Sequence, residues 1–143
     1  MIELMIGLAI VAIIVSLAFP AFQGSIRKSR RAVAFAAVSA VQLAQERWRA
    51  NNATYSSSVA GAWPASGLGL TNTTSGGYYT ISVASATATG YDVTATAVSG
   101  QSQSEDGACA VLVARTLIGN ITYGASALAG VLDFSPANRC WAR

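Results

Sequence analysis

The sequence predicts an α+β protein: a long N-terminal α-helix, apolar at its start, with its second half packed on an antiparallel β-sheet head. Three observations predict it. Residues 4–22 carry no charge and a single hydroxyl, Ser16. Ile26, Val33, Ala37, Val41, Ala44 and Trp48 then recur at spacings of three, four and seven, one face of a helix. Beyond residue 77, the runs 78–84 and 91–98 alternate apolar and polar side chains, the period of strands.

The apolar run comes first. At about 1.5 Å per helical residue, it nearly spans a bilayer core of about 30 Å. It has no basic residue ahead of it and no small-residue cleavage site, so it reads as an anchor rather than a cleaved signal peptide. Glu3 stands at its tip, where a carboxylate is costly and points to a function. Pro20 removes one helical hydrogen bond, so the helix should kink or open near it. Helix-forming residues resume after Gly24 and end at Asn51-Asn52, giving a helix of about 50 residues and about 75 Å.

Residues 53–77 are rich in Gly, Ser, Asn and Pro and read as a loop, pinned to the core by Trp63 and by Leu68 or Leu70. The runs 78–84 and 91–98 form a hairpin, 109–114 a third strand and 118–123 a fourth, with an irregular tail to Arg143. The chain thus divides into an apolar helix (1–24), an amphipathic continuation (25–52), a loop (53–77) and a strand head (78–143).

Charge is concentrated. Arg27, Lys28, Arg30, Arg31, Arg47 and Arg49 hold six of nine positive charges, all on the helix, and the net charge is +3. By the positive-inside rule, the flank at 27–31 would lie in the cytoplasm. The two cysteines, Cys109 and Cys140, argue for the other side, because a lone pair in a small tethered body fits a disulfide made outside the cytoplasm. Two buried free thiols are the alternative. We take the body to be exported. The 27–31 cluster would meet lipid phosphates or a neighbouring subunit's acids.

The sequence supports no enzyme and no cofactor. It has no histidine, which removes Ser-His-Asp triads and His-ligated metals. The six acids are scattered, and Glu105-Asp106 reads as a solvated turn rather than a calcium site. Asn52, Asn72 and Asn120 head glycosylation-type triplets that a Thr-rich chain produces by chance. At the tail, Trp141 lies between Arg139 and Arg143, a pattern able to contact nucleic acid or another surface. The reading preferred here is a solvated terminus with Trp141 packed beside the cysteines.

Ile2-Glu3-Leu4-Met5-Ile6, the apolar run 9–14, and Phe19-Pro20-Ala21-Phe22-Gln23 resemble the N-terminus of the type IV pilins. Family members begin with a basic leader cut before a Phe-Thr-Leu segment; here Met1 stands at the position of that Leu. The resemblance implies leader cleavage, N-methylation, a helix laid on a sheet, and a C-terminal loop closed by a disulfide. It also implies a structural subunit that waits in the inner membrane and, with the pilus assembly machinery, polymerises with identical copies into a cell-surface filament. Adhesion, twitching motility or DNA uptake would follow from the filament. In that role Glu3 pairs with the α-amino group of a neighbouring subunit, and Pro20 marks where the helix opens. The alternatives are a minor pilin, a type II secretion pseudopilin, or a monomeric membrane-anchored binding domain.

Overall fold

A single α-helix, α1 (Ile2–Arg49), carries a four-stranded antiparallel sheet on its second half. The strands are β1 (Tyr79–Ala84), β2 (Gly90–Ala97), β3 (Val111–Leu117) and β4 (Asn120–Ser126), and they lie in chain order as a meander. The computed structural model describes residues 2–141. The fold class is the one expected. The helix passes through Pro20 without a break in its assignment and ends at Arg49, slightly before the expected stop. Short 3-10 turns occupy Gly107–Cys109 and Arg139–Trp141.

The register places Tyr79, Ile81, Tyr91, Val93, Ala95, Leu112, Ala114 and Ala125 on the face toward α1, where they are buried. The helix answers with Ala34, Val38, Val41 and Ala44. This face is turned slightly from the expected one, and Val33 is exposed. The reason is the abundance of Ala: with few large side chains, several rotations of the helix satisfy the same spacing. The small residues let backbone and sheet approach closely. Gln45 is fully buried on the same side, where its amide donates to the Ser56 carbonyl at 2.7 Å and accepts the Ser56 N–H at 2.9 Å. This reciprocal clamp fixes the start of the 53–77 loop. Val59 and Leu68 anchor the rest, whereas Trp63, expected as an anchor, is 46% exposed.

Strand ends also differ from expectation. Ile118 and Gly119 both have positive φ, 49° and 76°, and form the tight turn between β3 and β4. Such a turn matches the twist of the strands it joins, and β4 starts two residues later than the alternation suggested. Cys109 belongs to the turn before β3 rather than to the strand.

The tail is held at three points. Cys109 and Cys140 form a disulfide, with Cα atoms 5.5 Å apart. Asp133 exchanges two backbone hydrogen bonds with Ala125, which occupies part of the open edge of β4. Phe134 lies over Gly124, where a Cβ would meet its ring at 2.8 Å, so the position requires glycine. Val113, the strand partner of Gly124 on β3, is 2% exposed.

The basic cluster at 27–31 does not simply face outward. Arg31 forms an ion pair with Asp106 at 3.0 Å, and Gln103 donates to the same carboxylate at 2.6 Å. Arg27 donates to the Glu105 carbonyl at 2.7 Å, and Arg30 binds the Ser102 hydroxyl while lying 3.9 Å from the centre of the Tyr78 ring. Three of the four cations therefore bind the 99–109 loop of their own head. Asp106, expected on a solvated turn, is 9% exposed. Burial pushes its carboxyl above the usual range, against the opposing pull of Arg31 and Arg27. Burial also pushes the neighbouring Tyr79 hydroxyl up to about 12, with the Asp106 charge adding to it.

Two outcomes follow. Cys140→Ser opens a cross-link between residues 31 apart in sequence, worth about 3–4 kcal/mol on the chain-entropy model. Denaturant unfolding reads that loss, and limited proteolysis should cut within 124–137 while the helix stays intact. Arg31→Met leaves a buried carboxylate without its cation, at about 3 kcal/mol near neutral pH. The sign with pH is fixed, because folding already raises the Asp106 pKa and losing Arg31 raises it further. The deficit should therefore shrink as pH falls through that raised value and the carboxyl becomes neutral. A deficit independent of pH would show that Asp106 does not use the pair.

Candidate functional site

Four features of the chain can act on something outside it. The first is the apolar half of α1. Ile2, Leu4, Met5, Leu8, Ile13, Leu17, Phe19 and Phe22 are each more than half exposed in the isolated chain. Among the described residues this is the one helix long and apolar enough to cross a membrane. Glu3 lies in its first turn, where an acid also complements the helix dipole. Met1, whose α-amino group is the expected partner of Glu3, lies outside the described residues.

The second is the base of the head, where Arg27 and Arg30 meet the 99–109 loop. Here Phe19, Phe22, Ile26 and the two arginines line an open groove of about 260 Å³ with Ser102 on its far wall.

The third is the tail cluster. Trp141 stacks on Phe35 with ring centres 4.6 Å apart, sits 4.7 Å from the Tyr123 ring, and donates its indole N–H to the Gly124 carbonyl at 2.8 Å. An indole clamped between helix and strand holds the tail down and is a poor platform for a stacked base, in line with the preferred sequence reading. Arg139 is exposed at the rim of a cleft of about 390 Å³ between β4 and the tail, lined also by Tyr123, Phe134 and Asn138. Arg143 lies outside the described residues. Arg115 lies 4.7 Å from the centre of the Phe134 ring, but its charge is offset by a two-pronged bond to Asp92 at 2.9 and 3.2 Å.

The fourth is the end of α1, which the sequence reading passed over. Arg47 is exposed in the last turn. Arg49 donates to the Asn52 and Ala88 carbonyls and lies 5.8 Å from the centre of the Tyr55 ring. The exposed Trp63 packs edge-on against Trp48 at 5.9 Å. Cations at a helix C-terminus serve the dipole in any case. Here they stand beside exposed aromatic surface, a pairing that suits a polyanion carrying flat rings. The signal was present in Arg47-Trp48-Arg49, a ring between two cations, as in the tail pattern. Glu46 is the nearby acid, and it adds to burial in raising the Tyr55 hydroxyl pKa.

Among the described residues no cluster of three His, Cys, Asp or Glu side chains could hold a metal. The acids are distributed as ion-pair partners and turn caps: Asp92 with Arg115, Asp106 with Arg31, and Asp133 accepting the Ser135 N–H at 2.8 Å.

No curated protein matches the chain significantly. One family model does match, over residues 20–113, from the apolar helix through the first residues of β3. It describes the type IV minor pilin ComP, DNA uptake sequence receptor. That span covers well over half of the 143 residues and contains the part of α1 from Pro20 onward, the 53–77 loop, β1, β2 and the start of β3. The chain therefore belongs to the type IV minor pilin ComP family.

Proposed function

We propose that this protein is a minor subunit of a type IV pilus that waits in the inner membrane by its apolar helix, enters a surface filament, and there holds DNA. The observation that carries the reading is the family match from Pro20 on α1 to the start of β3. The uncovered apolar half of α1 supports the membrane and filament stages, since it needs lipid or neighbouring helices around it. Sequence alone favoured a filament of identical copies. The family description favours a minority subunit placed among copies of another pilin, and we adopt that composition. A secretion pseudopilin is the weaker alternative, because the matching family is described as a type IV minor pilin.

For DNA, the helix end is the preferred interface. Arg47, Arg49 and Trp63 all lie within the matched span, whereas Arg139 and Trp141 lie beyond it. Arg47 contacts phosphate and Trp63 offers a ring to an exposed base, while Arg49, held by two carbonyls, shapes the surface. DNA binding by the purified full chain should fall linearly in log–log terms with salt, since phosphate contacts release counterions. Arg47→Gln should reduce that slope by about 1 and weaken binding to all duplexes alike. Arg139→Gln should change it less. If Arg139→Gln has the larger effect, the interface lies at the tail; if neither variant matters, DNA is not the ligand of this head.

Assembly is read from Glu3. A carboxylate within packed apolar helices costs on the order of 2.5–3.5 kcal/mol when it lacks a partner. A neighbouring subunit's α-amino group would satisfy it and set the axial register, with the segment around Pro20 opening as helices pack. Glu3→Val should fold and insert normally, yet appear in sheared filaments at a small fraction of the wild-type level. Undiminished incorporation would remove the pairing.

A further inference from the structure

We infer that the groove at the base of the head is a binding site for an anionic phospholipid of the membrane that holds α1. The inference rests on the membrane stage of the proposed function and adds a ligand to it. Three observations converge on the site. Its floor is apolar and helical: Phe19, Phe22 and Ile26 project from the last turns of the uncharged run and the turn that follows. Its rim is cationic: Arg27 and Arg30, two of the first three positive side chains after that run, line it. Its outer wall is Ser102, carried by a loop that reaches from the sheet back to the helix.

The charge state of the two arginines selects the ligand. Among the described residues the ion pairs are Arg31–Asp106 and Arg115–Asp92, so neither groove arginine is held in a direct ion pair, although Arg27 lies near enough to Asp106 to act on its charge. Arg27 gives one bond to a carbonyl, and Arg30 gives one to a hydroxyl. Each guanidinium has five N–H donors, so most remain for a phosphate, which it can grip with two parallel bonds. The Ser102 hydroxyl stands beside them. An acyl chain would run along Phe19 and Phe22 while the phosphodiester meets the arginines. At the end of an apolar span, lipid is the ligand at hand that carries both parts. Lys28 is exposed and absent from the groove lining, and so separates general charge attraction from this site.

The groove would hold the head at a set height and orientation on the bilayer before the subunit is drawn out. It follows that extraction from an anionic membrane requires breaking these contacts.

The test uses the full chain inserted in lipid discs of phosphatidylcholine doped with a minor fraction of phosphatidylglycerol. Native mass spectrometry counts the lipids retained on the released protein. The expected result is enrichment of phosphatidylglycerol on the order of tenfold over its share in the disc, as two near-surface arginines allow. Arg27→Gln with Arg30→Gln should abolish the enrichment, Lys28→Gln should keep it, and Arg27→Lys with Arg30→Lys should retain part of it with the 99–109 loop still charge-supported. Excess inorganic phosphate should not displace the lipid. No enrichment in the wild type, or equal loss in the Lys28 variant, overturns the site. Displacement by phosphate overturns the lipid in favour of the bare anion. Failure to insert into pure phosphatidylcholine discs overturns the membrane reading itself, and the groove proposal with it.

Discussion

The inner face of the sheet is covered by half a helix, and that half is continuous with a segment that nothing in the isolated chain covers. This continuity is the constraint on which the rest depends. Ala34, Val38 and Val41 are almost wholly buried, while Leu4, Leu8 and Leu17 on the same element are more than two thirds exposed. Helical hydrogen bonds satisfy the backbone in both settings, so one element can pass from an apolar solvent onto a protein core. Because α1 is continuous over 48 residues, about 72 Å at the helical rise, wherever the apolar half is held the head is carried with it.

Where the two halves meet, charge does the joining. Among the described residues the buried positions of α1 begin at Ala34, and Arg27 and Arg30 each give a hydrogen bond to the 99–109 loop. The Arg31–Asp106 pair with Gln103 closes the contact. Arg31 also donates to the Cys109 sulfur at 3.3 Å, so the loop's ion pair and the disulfide share one side chain. A cluster that looks like a simple basic flank is thus partly engaged within the chain, Arg31 by an ion pair and Arg27 and Arg30 by one hydrogen bond each. Among the described residues the exposed cations are Lys28 at the base, Arg47 at the helix end, Arg139 on the tail and Arg115 on β3, the last paired with Asp92. That redistribution is why the helix end, rather than the most basic stretch, becomes the better candidate for a polyanion.

The tail shows how a segment with few large side chains is held without a core of its own. It borrows one from its neighbours. Phe134 uses the space that Gly124 leaves on the outer face, and Trp141 fills the gap between Phe35 and Tyr123 on the other. The disulfide joins the tail to the turn before β3, and the Asp133–Ala125 pairing blunts the last strand edge. Trp141, a contact candidate from its flanking cations, is packed between Phe35 and Tyr123 and bonded to Gly124.

By itself the sequence determined the elements whose causes are local. An uncharged run at 4–22, helical spacing after it and two-residue alternation in the head specify a helix followed by strands, because those periods come from backbone geometry alone. Two cysteines permit one intramolecular pair, and the N-terminal motif pointed to the pilins. Tertiary structure decided what depends on distance through space. It chose which rotation of an Ala-rich helix faces the sheet, buried Gln45 against Ser56, and turned Ile118-Gly119 into a bend. It also joined Arg31 to Asp106 across 75 positions of chain, counting from their numbers in the sequence, and clamped Trp141 while leaving Trp63 exposed. No periodicity encodes those outcomes, because each is set by which side chains the folded sheet brings within a few ångströms of the helix.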